Sequence, residues 1–218
     1  MTSEITCGCE ATFAALAYPD FDGERDCPVR WSHALMELVS TRTCGRDTLC
    51  REGSLQLCAV LADVSTGKGR DDDAELTREL LALMRENANC DMARLAAEKS
   101  LSLVDARRDE WDRHVAGKRC PALACPALVT VYVAPESCSG CGECRAVCPR
   151  GAIAGGDGMI HVIDRQVCDR CYRCVAICKD TAIQRSSGAV VRTPDAPVPV
   201  GGFGSAGAGS GRRRRRRV

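Results

Sequence analysis

Cys138-Ser139-Gly140-Cys141-Gly142-Glu143-Cys144-Arg145-Ala146-Val147-Cys148 and Cys168-Asp169-Arg170-Cys171-Tyr172-Arg173-Cys174-Val175-Ala176-Ile177-Cys178 write one cysteine spacing twice, thirty residues apart. Each run reads C-x2-C-x2-C-x3-C. Three thiolates within seven residues, with a fourth at a fixed offset, suit a cubane iron–sulfur cluster, whose corners need four sulfur ligands. A structural zinc site needs four ligands in all, usually as two separated pairs, and does not call for this crowding. Gly140 and Gly142 permit positive φ and close backbone approach in a loop wrapped around such a core. The repeat runs past the cysteines. Val147, Ala152 and Ile153 return as Ile177, Ala182 and Ile183, whereas Pro149 is replaced by Lys179. A pseudo-twofold pair of β-α-β units follows.

On these residues, the segment resembles the bacterial two-[4Fe-4S] ferredoxins over residues 135–185. In that family's run the fourth cysteine ligates the other cluster. The resemblance therefore implies Cys138, Cys141, Cys144 and Cys178 for one [4Fe-4S] cluster and Cys168, Cys171, Cys174 and Cys148 for a second. His161 is expected in a strand between the repeats, facing solvent.

Composition bounds the rest. The chain has 218 residues, 45% of them hydrophobic, enough for one or two domains with a buried core. Seventeen cysteines would suggest disulfides in a short secreted protein, but the opening MTSEITCGCE lacks a basic segment followed by an apolar one. A reducing, cytoplasmic location is expected, without a transmembrane segment. The net charge of +1 includes Arg212 to Arg217, and without these six the remainder stands at −5. That mild acidity argues against a specific nucleic-acid binder. Residues 186–218, rich in Gly, Ala, Pro and Val before the arginine run, read as a disordered tail.

Four stretches before the repeats carry helical periodicity: residues 28–40 (Trp31, Leu35, Leu38, Val39), 51–64 (Leu57, Leu61, Val64), 71–87 (Leu76, Leu80, Leu83, Met84) and 92–115 (Ala93, Ala97, Leu101, Val104, Trp111, Val115). They predict a small four-helix bundle over residues 27–115, after an N-terminal segment, 1–26. The fold class is then α+β: a helical bundle, a cysteine-containing linker over 116–134, the ferredoxin-like domain and the tail.

Within the bundle, Thr43-Cys44-Gly45-Arg46-Asp47-Thr48-Leu49-Cys50-Arg51-Glu52-Gly53, with Cys90 further on, resembles the iron–sulfur region of the flavin-bearing, NADH-oxidising subunit of respiratory complex I and of NAD-linked hydrogenases. That family's pattern is S-C-G-x-C-x-P-C-R-E-G, with a later fourth cysteine around one [4Fe-4S] cluster. The resemblance places Cys44, Cys50 and Cys90 on three ligand positions and Asp47 on the fourth. Three outcomes stay open: Asp47 ligates an iron, a three-iron cluster forms, or the cluster is lost and the cysteines serve as buried small hydrophobes. Nearer the repeats, His114, Cys120 and Cys125 make zinc a candidate, with Cys27 or the Cys7/Cys9 pair as a fourth ligand. A linker with an exposed histidine is the alternative.

The FMN- and NADH-binding domain of the flavin subunit is not expected here. Gly67-Lys68-Gly69 joins two predicted helices and does not follow a strand, so it is no phosphate cradle. No nucleophile, base and carboxylate grouping stands out, and His33, His114 and His161 are scattered. The expected function is an electron-transfer subunit between a flavoprotein or hydrogenase-like partner and a soluble carrier such as ferredoxin. The alternative is an assembly or docking subunit whose clusters are mainly structural.

Overall fold

Pro28 occupies the first turn of α1 (Pro28–Arg42), where its missing N–H costs no helical hydrogen bond, and in the computed structural model, which describes residues 18–204, this helix opens the ordered core. Cys7, Cys9 and the arginine run lie outside the described residues. Trp31, Leu35 and Val39 turn inward at i, i+4 and i+8. Before α1, Tyr18 and Phe21 set their rings edge-on to Trp31, and the Tyr18 hydroxyl donates to the Trp31 carbonyl.

A single π-helical turn (Leu49–Gly53) leads into α2 (Ser54–Thr66), which buries Leu57, Leu61 and Val64 and ends at Gly67 with φ +82°. α3 (Asp73–Asn87) departs from the periodicity reading. It buries Thr77, Leu81 and Met84, a face turned by about one residue, and leaves Leu83 46% exposed. Thr77 can enter because its hydroxyl donates to the Asp73 carbonyl at 2.7 Å, so no polar group is orphaned.

The predicted helix over residues 92–115 is two helices, α4 (Asp91–Ala106) and α5 (Arg108–Val115), broken at Arg107 with φ −121° and ψ 34°. Neither glycine nor proline marks this break, so the sequence gives no signal for it. The reorientation keeps Trp111 fully buried and places His114 inside. The helical core thus rests on five α-helices among the described residues, not four. Residues 116–129 also join it: Cys120 and Cys125 are buried there, and the unit ends at Val129. The expected linker is therefore part of the helical unit up to that point.

The second unit starts at Thr130, ahead of the expected boundary, with β1 (Thr130–Val133). It continues through α6 (Glu143–Ala146), β2 (Ile153–Ala154), β3 (Met159–Ile160), β4 (Val162–Ile163), α7 (Arg173–Ile177) and β5 (Ile183–Ser186). β1 pairs antiparallel with β5, Val133 opposite Ile183, and β2 with β4, Ile153 opposite Ile163. The first strand of each repeat therefore pairs with the last strand of the other. The tail is ordered further than its composition suggests. Val198 and Pro199 form β6, opposite Ile160 and Met159, and Phe203 packs on the core beneath the Arg192 guanidinium. An apolar partner strand rescues a segment that has no periodicity of its own.

The two cluster loops share one backbone and solve it differently. Gly140, Gly142 and Gly151 have φ of +75°, +77° and +62°, and Arg170, Tyr172 and Thr181, thirty residues on, have +59°, +60° and +49°. At Gly140 a Cβ would lie 2.8 Å from the Gly158 and Met159 backbone. A non-glycine residue in this region costs roughly 1–2 kcal/mol, most for a β-branched one. Thr181 is exposed. Thr181→Gly is therefore expected to raise the stability of the cluster-loaded protein by about 1 kcal/mol, read as a higher denaturant midpoint at unchanged slope. An unchanged or lower midpoint would show that Thr181 is not strained.

Candidate metal centres

The second unit holds twin cavities. The first is lined by Cys138, Cys141, Cys144 and Cys178, the second by Cys148, Cys168, Cys171 and Cys174. Each takes three cysteines from one repeat and one from the other. Cys144 and Cys174 sit at corresponding places on α6 and α7, and burial pushes each thiol up to about 11, the neighbouring thiols adding repulsion. Four thiolates in such a cavity need a cationic core, so the donor set fits an iron–sulfur cluster. Metal loading there displaces protons.

The buried wall positions follow the repeat and are apolar except at His161, while Ser139, Glu143 and Asp180 also line the first cavity and Asp169, Arg170, Tyr172 and Arg173 the second. Val131, Ala152, Ile153 and Ile163 line the second cavity; His161, Ala182, Ile183 and Val133 line the first. The expectation of a solvent-facing His161 is overturned: the residue is 1% exposed, between β3 and β4, with Nδ1 3.9 Å from Cys138 Sγ. Burial and the charge of Arg145 hold the imidazole below its ordinary value. The sequence contained a signal for this position, because His161 is thirty residues after Val131, an inward residue of β1.

A second group lies in the helical unit. Cys27, His114, Cys120 and Cys125 are all buried, and their ligand atoms lie within 4.8 Å of one another. Cys27 Sγ is 3.2 Å from His114 Nε2 and 3.6 Å from Cys125 Sγ, and Cys125 Sγ is 3.7 Å from the same nitrogen. His114 Nδ1 donates to the Glu110 carbonyl at 2.7 Å, which turns Nε2 toward the sulfurs. Burial pulls His114 down, but hydrogen bonds with Cys120 and Cys27 outweigh it and carry the imidazole up to about 10. Hydrogen bonds from Cys125 and Cys27 lower the Cys120 thiol far below its ordinary value. Three buried sulfurs and an imidazole nitrogen this close together make a donor set that favours a cation. The expected fourth ligand at Cys27 comes from the residue before α1; His114 is not exposed.

The third expected group is arranged around Asp47. Its Oδ1 accepts from the Leu49 and Cys50 N–H groups at 2.9 and 3.4 Å, and its Oδ2 from the Cys90 N–H at 2.9 Å. The carboxylate, 8% exposed, ties the loop before the π-helical turn to the loop before α4. Cys50 and Cys90 are buried and Cys44 is exposed. The Arg51-Glu52-Gly53 triplet lies in the π-helical turn, where Arg51 pairs with Glu52 and donates to the Gly45 carbonyl. A Cβ on Gly53 would meet Met84 Sδ at 2.8 Å. Single π-helical turns of this kind recur at functional sites.

Comparison with known proteins divides the chain in the same way. Residues 30–114 match the NADH-ubiquinone oxidoreductase-F iron-sulfur binding region, and residues 130–184 match a 4Fe-4S dicluster domain. The chain is 34% identical over 138 residues to the NADP-reducing hydrogenase subunit HndC of Solidesulfovibrio fructosivorans, across 63% of this chain and 28% of that one. It is 30% identical over 98 residues to an NADH-quinone oxidoreductase subunit of Streptomyces coelicolor, across 45% of this chain and 22% of that one. An uncharacterised ferredoxin of Methanocaldococcus jannaschii is 34% identical over 58 residues, 25% of this chain and 75% of its own length. The chain spans about a quarter of the length of the hydrogenase and quinone-oxidoreductase relatives. The chain thus carries an iron–sulfur binding region of the NADH-ubiquinone oxidoreductase-F type followed by a 4Fe-4S dicluster ferredoxin domain.

Proposed function

We propose that this chain is an iron–sulfur electron-transfer subunit that relays single electrons between a separate flavoprotein or hydrogenase-type partner and a soluble acceptor such as ferredoxin. The observation that carries this reading is the pair of matched cavities, each lined by four cysteines drawn from both repeats. Bound there, a [4Fe-4S] cluster accepts and releases one electron at a time. Cys138, Cys141, Cys144 and Cys178 hold the first, and Cys168, Cys171, Cys174 and Cys148 the second. Among the described residues no helix is long and apolar enough to cross a membrane. Cys144 and Cys174 sit on short helices and the other six cysteines in the loops beside them, and ligands fixed in this way suit a carrier whose geometry changes little between redox states.

The helical unit supplies two further sites in this reading. Cys44, Cys50 and Cys90 hold a third cluster, with Asp47 in place of the fourth thiolate, and the four-residue group of Cys27, His114, Cys120 and Cys125 holds a structural zinc. A tetrahedral zinc with ~2.3 Å bonds to sulfur separates its sulfur ligands by about 3.8 Å, close to the 3.6 Å between Cys27 and Cys125 Sγ.

Anaerobic redox titration followed by EPR tests the relay: two reversible one-electron signals are expected from the ferredoxin unit, and redox-inert clusters would favour the docking alternative. Cys141→Ala and Cys178→Ala should disturb the same signal although they lie in different repeats, and Cys148→Ala the other. Pairing of Cys178 with Cys168 instead would overturn the ligand exchange. Iron analysis should give about twelve per chain, eight from the ferredoxin pair and four from the Asp47 site, with Asp47→Cys changing only the third signal. Eight irons and no third signal would refute a cluster at Asp47. Zinc analysis should give one ion per chain, and His114→Ala should abolish it and cost upwards of about 4 kcal/mol in stability; metal-free wild-type protein of full stability would remove the zinc assignment.

A further inference from the structure

Outside the loops, where Ser139 and Glu143 at one cavity answer to Asp169 and Arg173 at the other, the thirty-residue repeat makes the buried walls of the two cavities alike except at one position. Val131, in β1, lines the cavity of Cys148, Cys168, Cys171 and Cys174. Its counterpart thirty residues on is His161, which lines the cavity of Cys138, Cys141, Cys144 and Cys178. Both are buried, at 4% and 1% exposure, so solvent access does not separate them. The neighbouring wall positions keep their chemistry: Val133 answers to Ile163, Ala152 to Ala182 and Ile153 to Ile183.

The histidine is seated at a cost. Gly155 is at φ +138°, and a Cβ there would lie 2.7 Å from His161 Cδ2, so the facing position is kept bare for the ring. His161 Nε2 is buried with no hydrogen-bond partner among the described residues. A buried polar atom left unpaired is destabilising, a cost that a valine here would avoid. The other ring nitrogen has one neighbour of use, Cys138 Sγ at 3.9 Å. With the proton on Nδ1 the ring offers its only donor to that sulfur. With the proton on Nε2, an N–H would be buried unpaired and a lone pair would face a thiolate.

From this we infer that His161 is a positioning residue that makes the two clusters inequivalent: its Nδ1–H donates to the Cys138 thiolate and raises the reduction potential at that site, a contact Val131 cannot supply at the other. An added electron increases negative charge on the sulfurs, so a donor to a ligand sulfur favours the reduced form. No proton is transferred. The charged groups near the cavities, Glu143 and Asp180 at the first and Asp169, Arg170 and Arg173 at the second, are partly or fully solvated, and salt screens their influence. The inference rests on the relay proposed above.

The test is EPR-monitored potentiometry of the full chain with its clusters, at low and high salt. His161→Val is expected to lower one of the two midpoint potentials and leave the other in place, at both salt concentrations. His161→Gln, which keeps an N–H donor, should restore the potential toward wild type. Val131→His should raise the second potential, and it remains informative if His161→Val fails to load iron. Two wild-type couples that neither His161→Val nor Val131→His shifts would overturn the inference. A wild-type chain with no reversible couple would overturn the relay itself and the inference with it.

Discussion

Each cluster cavity is completed by a cysteine from the opposite repeat, Cys178 in one and Cys148 in the other, and the strands obey the same exchange, β1 pairing with β5 and β2 with β4. Neither repeat can close its cavity or pair its first strand alone. The strands are only two to four residues long, too short to be stable as isolated hairpins, so sheet and cavities form as one cooperative unit. The left-handed loop positions follow from this constraint. A loop that returns its cysteines to a shared cavity must turn sharply, and the second repeat accepts strain at Arg170, Tyr172 and Thr181 where the first uses glycine.

The helical unit is organised around a different closure. Cys27 precedes α1, His114 lies in α5, and Cys120 and Cys125 follow, yet all four meet inside. The break at Arg107 makes this geometry available, because it lets Trp111 fill the core and His114 turn its Nε2 toward the sulfurs while Glu110 fixes the ring. Asp47 performs a related task with hydrogen bonds. A thiolate offers a single acceptor atom, whereas the two carboxylate oxygens reach the Leu49 and Cys90 amides at once, so Asp47 couples two cysteine-bearing loops through the backbone.

Much of this is legible in the residues. The doubled cysteine run, Gly140 and Gly142, and the inward faces of α1, α2 and α4 all rest on local spacing or local backbone freedom, which the order of residues records. The face of α3 is not legible, because Leu76, Leu80 and Leu83 satisfy the period as well as Thr77 and Leu81 do, and only packing selects between them. The ordered part of the tail is hidden for a similar reason: Val198 and Pro199 carry no pattern until Ile160 and Met159 are beside them.

Sequence by itself determined the iron–sulfur character of the cysteine repeat and the division into a helical and a ferredoxin-like part, because ligand spacing and periodicity are short-range properties. Tertiary structure decided the rest: that Cys27 closes the site of His114, Cys120 and Cys125, that residues 116–129 belong to the helical unit, and that His161 is a cavity wall. Each depends on contacts between residues far apart in the chain, or on which of two equally spaced faces is buried. No local interaction determines either.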